Sequence, residues 1–413
     1  MYDHARIASW LRERGAGHGL PQTLYVEPEA FEFDLRAIFN RNWHMAGFEC
    51  ELPRAGDHVA STVGRTPILI VRKRNGELAA FHNSCRHRGA QICKRGAGHA
   101  ARLVCPYHQW SYDLDGRLLS ARGMEPGFDL DGHSLSPLRV EIVAGCVYVA
   151  MSDDAPDFAP FRAVLEPALR PYGLRDTKVV FAQELMEEAN WKLVMENGRE
   201  CHHCAACHPE LGKVLPMNIG ETAFLAEEAS SDFMRTLRGL GFETGEHLGD
   251  WWQVGRYPFR DGALSYSPDG SPLVRQALND ANGRNLGTLR WAVEPNNFCH
   301  VTSDVAFAFT ANPVAPLRTV VTAKWLVHKD AVENVDYRLD RLTELWSRTN
   351  LQDRALAENN QRGVSGAGYQ PGPYSRSSER YVMRLVDWYC RQAETFLGSS
   401  GEASSHRIGP RFA

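Results

Sequence analysis

Residues 85–116 read CRHRGAQICKRGAGHAARLVCPYHQWSYDLDG, and two short arms in this stretch decide how the front of the chain is read. Cys85-x-His87 is one arm and Cys105-x-x-His108 the other, with seventeen residues between them. Two thiolates and two imidazoles are zinc-type ligands, but a common zinc finger pairs Cys with Cys and His with His. Here each arm supplies one of each. That order fits an iron–sulfur cluster whose two irons take different ligands.

The surroundings read as strands and tight turns. Ile68–Val71 and Leu78–Phe81 flank Asn75-Gly76, a hairpin signal. Asp115-Gly116 lies between Trp110-Ser111-Tyr112 and Leu118-Leu119, and Val140–Ala150 is strand-like around Ala144-Gly145. Residues 41–155 are therefore expected to form an all-β module, after a helical lead over 1–40. DDAPDFAPF at 153–161 is polar and proline-containing, as a linker is. The second domain is expected over 160–393. It has a strand near 179–186, a helix from about 190, strand-like segments near 288–293, 304–310 and 319–328, and a helical pattern over 335–362. Strands and helices without regular βαβ alternation indicate an α+β fold. Residues 394–413 are expected to be a flexible tail.

Composition bounds the function. The 413 residues suit about two domains. A net charge of −4 without a Lys/Arg-rich run gives no footprint for nucleic acid. No apolar run is long enough to cross a bilayer, and MYDHARIASWLRERG lacks the apolar core of a signal peptide. The cytoplasm is the expected location, where the ten cysteines stay reduced. Cys85, Cys105, Cys201, Cys204 and Cys207 all lie close to a histidine, which favours metal over disulfide.

A second metal site is expected after residue 190. Glu200 and His203 are three apart and would share a helix face. His203 and His208 are five apart and converge only where the helix loosens, as Pro209 allows. Cys201, Cys204 and Cys207 open like a bacterial ferredoxin run, but no fourth Cys follows. A carboxylate should complete the site, because two His and one Asp or Glu leave iron positions open for dioxygen. Asp353 lies on the otherwise mainly inward stripe Leu342–Trp346–Thr349–Leu356. A buried carboxylate needs a partner, and metal, a salt bridge and a helix cap all remain open on spacing alone.

Over its whole length, the 85–116 stretch resembles the Rieske pattern C-x-H-R-G…C-P-Y-H-x-W. NWKLVMENGRECHHC…HP at 190–209 and the run at 352–361 resemble the catalytic segments of the Rieske non-haem iron oxygenases. The resemblance extends along almost the whole chain, nearest to the glycine betaine and proline betaine (stachydrine) demethylases. FHNSCRHRGA, LVCPYHQW, NWKLVMEN, WLVHKDAVENVDY, RLTELW and PGPYS carry it. It implies an all-β Rieske [2Fe–2S] domain followed by a helix-grip catalytic domain, an antiparallel sheet with helices. It implies that Cys85 and Cys105 hold one iron of the cluster and His87 and His108 the other. His203, His208 and Asp353 would hold a mononuclear Fe(II), and Asn197 would support that site. Glu200 would bridge to His108 of a neighbouring subunit in a homotrimer. Three positions depart from the pattern. Gln109 stands where much of the family has Gly, His202 where relatives have Tyr, and Gly198 where they often have Asn.

The resemblance implies a reaction with dioxygen and a quaternary ammonium betaine, in which an N-methyl group is hydroxylated and lost as formaldehyde. No GxGxxG follows a strand, so electrons must come from a separate NAD(P)H-dependent reductase of flavin/ferredoxin type. A permanent cation is held by aromatic faces. Candidates are Trp251, Trp252, Tyr257, Phe307 and Phe309, with His300, Arg256 or Arg260 for the carboxylate. Hydroxylation of an aromatic acid is the competing expectation.

Overall fold

The computed structural model describes residues 2–216, 229–278 and 284–404. The lead forms α1 (His4–Arg12), α2 (Gln22–Val26) and α3 (Pro28–Ala37). Asp3 caps α1 by accepting from the Ala5 amide at 2.9 Å, and Pro28 opens α3 where no amide is needed.

The all-β module follows as β1 (His44–Phe48), β2 (Asp57–Val63), β3 (Thr66–Arg72), β4 (Leu78–His82), β5 (Gly96–His99), β6 (Leu103–Val104), β7 (Ser111–Tyr112), β8 (Leu118–Ser120), β9 (Pro137–Val143) and β10 (Cys146–Ala150). Seven strands pair in the order β1-β10-β9-β4-β3-β2-β5, and β6-β7-β8 make a separate small sheet. The β3–β4 hairpin is present, but its loop is longer than the two residues Asn75-Gly76. It closes with the Lys73 amide donating to the Glu77 carbonyl at 2.8 Å, and Gly76 takes φ +88°.

After α4 (Ala159–Leu169) the chain enters β11 (Thr177–Glu187), α5 (Trp191–Gly198), α6 (Cys204–Cys207), α7 (Ala229–Gly239), β12 (His247–Leu248), β13 (Trp252–Tyr257), β14 (Thr288–Val293), β15 (Asn297–Val301), β16 (Ala306–Ala315), β17 (Arg318–His328), α8 (Leu339–Val364) and α9 (Arg380–Ser404). The sheet order is β11-β17-β16-β15-β14-β13-β12, antiparallel throughout. The expected α+β architecture is present. Strands β13 and β15 were not among the expected ones. Both carry aromatic and polar residues that hide a plain alternation.

Helix α8 lies over this sheet. Leu342, Leu345 and Trp346 pack with Phe307, Phe309 and Trp325 in one buried cluster. Each such large side chain contributes about 1.5–3 kcal/mol on burial. The two domains share a core, and the Trp291 indole donates to the Tyr148 hydroxyl at 3.0 Å. Asp34 of α3 is fully buried. It accepts from the Trp191 indole (2.9 Å), the Tyr389 hydroxyl (2.9 Å) and the Lys192 ammonium. Removing one partner of such a buried pair costs about 3–5 kcal/mol, so this knot ties α3, α5 and α9 together.

One expected boundary is corrected. The tail proposed over 394–413 is helical as far as Ser404, because α9 continues. Val382, Leu385, Val386, Tyr389 and Ala393 recur at helical spacing and are buried, with Phe396 and Leu397 half-buried beyond them. Residues 405–413 lie outside the described residues. Among the described residues, no helix is long and apolar enough to cross a membrane.

Candidate metal centres and active site

The first candidate centre sits on two matching turns. The Gly89 amide donates to the Cys85 carbonyl at 2.8 Å, and the Gln109 amide to the Cys105 carbonyl at 3.1 Å. Each turn ends in a left-handed residue, Gly89 at φ +77° and Gln109 at φ +63°. This geometry accounts for the family's glycine at the second position, since only glycine adopts it without steric cost. The Cys85 and Cys105 thiols are buried, and the His87 and His108 rings meet at 4.6 Å between centroids. Trp110 stacks on His87 at 4.7 Å. The Tyr112 hydroxyl is 3.3 Å from the Cys85 sulfur and accepts from the Arg86 amide. Both imidazole Nδ1 atoms are buried without a hydrogen-bond partner. Two orphaned nitrogens beside two buried sulfurs fit a [2Fe–2S] cluster with mixed ligands.

The second candidate centre forms where the chain leaves α5. That helix stops at Gly198, so Glu200 and His203 do not share a helix face as expected. They lie on the turn into α6, with His203 at its N-cap. His208 closes α6 at φ −124°, ψ 65°, outside the helical region, as Pro209 requires. His203 Nε2, His208 Nε2 and Asp353 Oδ1 converge. The two nitrogens are 3.1 Å apart, and they lie 3.2 and 3.0 Å from the carboxylate oxygen. Behind them, His203 Nδ1 meets Glu200 Oε1 at 2.5 Å and His208 Nδ1 meets Gln352 Oε1 at 2.8 Å. Acceptors on the far nitrogens aim the near ones inward, the arrangement metal-binding histidines use. The donor set is two imidazoles and one carboxylate, which fits a mononuclear iron with open positions.

The electrostatics agree. Burial disfavours charge on His203, but the Asp353 and Glu200 carboxylates outweigh it and push its pKa up to about 10. Burial also opposes charge on Asp353, yet the two imidazoles hold its carboxyl below the usual range. Such a site holds positive charge, as a proton or as a metal. His202 is exposed, and its side chain stays out of this convergence. Cys201 and Cys204 form a disulfide, against the expectation of reduced thiols. The C-x-x-C turn brings their Cα atoms to 4.9 Å, within bridging range.

The triad opens into a cavity between the sheet and α8, and Asn197 and Glu200 line it too. Of the aromatic and imidazole candidates, Tyr257 and His300 line it. Phe307 and Phe309 lie behind, packed on Trp346 at 5.8 and 5.2 Å. Trp251 and Trp252 are corrected. They pack on Phe161 at 5.4 and 5.6 Å, outside the cavity, because this end of the sheet meets α4. Arg256 turns to the Tyr172 hydroxyl and Arg260 to the Gly212 and Leu215 carbonyls, so neither lines the cavity. Phe298, Trp346 and Arg290 do line it. Trp346 was visible as a member of the inward stripe. Phe298 and Arg290 needed the strand register. Gly198 has a role here, since a Cβ on it would come within 3.0 Å of the Phe298 ring.

Comparison with known proteins agrees with this geometry. Residues 42–140 match the Rieske [2Fe-2S] domain, and residues 174–395 match the catalytic domain of the ring hydroxylating alpha subunit. The chain belongs to the Rieske ring-hydroxylating oxygenase family, a family of oxidoreductases. Within it, the chain is similar to the glycine betaine monooxygenase oxygenase subunits. It is 40% identical to that of Pseudomonas aeruginosa (strain UCBPP-PA14), covering 97% of this chain and 94% of the other. It is 39% identical to that of Chromohalobacter salexigens, covering 92% and 87%. A solved quaternary ammonium Rieske monooxygenase in complex with L-carnitine shares the fold at TM-score 0.69 and 22% identity, over 94% of this chain and 97% of that one. Naphthalene 1,2-dioxygenase from Rhodococcus sp. shares it at TM-score 0.70 and 18% identity, over 94% and 98%.

Proposed function

We propose that this chain is the oxygenase component that removes an N-methyl group from a betaine, glycine betaine first among them. His203, His208 and Asp353 would hold Fe(II), and Cys85, His87, Cys105 and His108 the [2Fe–2S] cluster. When bound, the cluster carries one electron at a time and the iron activates dioxygen. In the overall reaction one oxygen atom enters an N-methyl carbon. The other leaves as water, with two electrons and two protons consumed. The N-hydroxymethyl product then loses formaldehyde, leaving the tertiary amine. Trp346, Phe298 and neutral His300 offer a cation-tolerant wall. Burial, with Arg290 nearby, drives the His300 pKa well down, so no imidazolium repels the ammonium group.

Electrons come from a separate NAD(P)H-dependent flavin/ferredoxin-type reductase, in the cytoplasm. We place the working cluster on a neighbouring subunit of a homotrimer, with Glu200 handing on from His108 of that neighbour to His203. Two features support this. His108 is only half-buried on an exposed tip, and Glu200 already holds His203 Nδ1.

The observation that carries the reading is the triad opening onto an aromatic-walled cavity in a chain 40% identical to a glycine betaine monooxygenase oxygenase subunit. The test is turnover with a reductase, glycine betaine, proline betaine and aromatic acids. Formaldehyde from a betaine, with about three irons per chain of which two accompany acid-labile sulfide, is the expected result. A diol or phenol from an aromatic acid, with no formaldehyde, would move the chain to ring hydroxylation.

A further inference from the structure

A betaine carries an anion as well as a cation, and a buried carboxylate is costly unless a fixed donor meets it. The cavity is lined by three arginines, each with a different account of its charge. Arg199 is clamped by Glu294 at 2.7 Å and also donates to the Asn297 carbonyl. Arg380 is paired with Glu246 at 2.8 Å. Arg290 has no carboxylate partner among the described residues. Among the described residues its side chain makes one hydrogen bond, a long one of 3.4 Å from Nη2 to the Tyr266 hydroxyl, and its Nε is buried with no partner there. A guanidinium has five donors in a rigid fork, so most of its capacity is unused.

The sheet register says where that fork lies. Gly255, Arg290, His300 and Phe307 stand opposite one another on β13, β14, β15 and β16, so their side chains share one face of the sheet. His300 meets Trp346 at 4.9 Å, and Trp346 precedes Asp353 on α8. The row therefore runs from the aromatic wall beside the iron ligands outward to Arg290. On Arg290's other side Gly255 presents no side chain, and a Cβ there would crowd the Tyr257 hydroxyl at 3.1 Å. The Arg290 guanidinium in turn sits over the Tyr257 ring, 5.0 Å from its centroid, and the ring steadies it.

We propose that Arg290 is the anchor for the substrate carboxylate. It fixes a zwitterionic quaternary ammonium substrate with its cation against His300, Phe298 and Trp346 and an N-methyl group toward His203, His208 and Asp353. Arg290 thereby selects carboxylate-bearing substrates over simple ammonium cations. This inference rests on the betaine reading above.

The test is calorimetric binding to cluster- and iron-loaded protein without reductant, so that no turnover occurs. Glycine betaine is compared with choline, which keeps the trimethylammonium group and lacks the carboxylate. For Arg290→Gln, betaine affinity should fall by about 100-fold while choline affinity stays the same. Arg290→Lys should recover part of the loss, and it also serves if the Gln variant does not fold. Betaine affinity within about threefold of wild type in the variants would overturn the anchor. So would an equal loss for choline, which marks a structural role. A wild-type protein that binds neither ligand sinks the betaine reading and the anchor together.

Discussion

At the tip of the first domain, the four proposed cluster ligands come from residues 85–108 and hang on two matching turns. At the corner of the second, His203 and His208 meet Asp353 from a helix that begins 131 residues after His208, at Leu339. The first site is local, and the chain needs only two turns, within residues 85–109, to assemble it. The second exists only once α5, α6 and α8 are docked on the sheet. Exposure differs in the same sense. Tyr107 beside the cluster ligands is 58% exposed, while His208 is 1% exposed. A local, exposed site suits electron exchange with another protein. A tertiary, enclosed site suits chemistry that must exclude water.

The largest expected effect separates the two sites outright. Asp353→Ala should abolish product formation, by at least about 10³-fold, and remove the mononuclear iron while the cluster's visible absorbance and sulfide content persist. Cys105→Ser should do the reverse. Co-assembled in one oligomer, the two inactive variants should regain activity if electrons cross between subunits. A mixed oligomer as dead as its parents would confine transfer within one chain. If Asp353→Ala also strips the cluster, the contrast between the sites fails.

A smaller effect is expected behind the iron corner. Gln352→Leu removes the acceptor that orients His208, and iron affinity should fall by about 10–100-fold in a chelator competition. Cluster content should not change. A pH effect is expected in the frame that carries α5. Burial pushes Glu196 up to about 7, although the Tyr25 and Tyr374 hydroxyls donate to it at 2.7 Å each. The folded value exceeds the unfolded one. The stability it contributes is thus complete below about pH 4.5 and lost as pH rises through about 7. Between those values the wild-type melting temperature should fall relative to Glu196→Gln, whose amide does not titrate. Parallel curves would place the ionisation elsewhere. The smallest effect is at the tip. Gln109→Gly relieves a left-handed backbone and should stabilise the protein by about 1 kcal/mol in thermal unfolding, with the cluster spectrum unchanged.

The same contrast explains what the sequence made legible. Cys85, His87, Cys105 and His108 could be read from spacing because their site is two turns long. Pro209 announced the kink that brings His208 round. Asp353 stood out as a carboxylate on an inward stripe. Arg290 gave no such signal, since a single arginine in TLRWAV looks like any solvent-facing strand residue. Its place depends on which residues of β13 and β15 stand opposite it, and those two strands were not read as strands. Trp251 and Trp252 misled for a related reason. Aromatic identity marks a buried position, but only the packing of α4 decides which core receives it. The helical end of α9 was hidden because its last turns read GSSGEAS, poor helix formers that continue a well-anchored helix.

Helix α8 carries both Trp346 of the cavity wall and Asp353 of the iron corner, seven residues apart on one rigid rod. At 1.5 Å per residue that is about 10 Å along the axis, a length set by peptide geometry alone. The helix is thus a built-in gauge between the proposed seat of the substrate and the proposed reacting centre. A tilt or slide of α8 moves both marks together and leaves their separation unchanged. Adjustment to a longer or shorter substrate must therefore come from the opposite jaw, where Arg290, Phe298 and His300 of the sheet line the cavity.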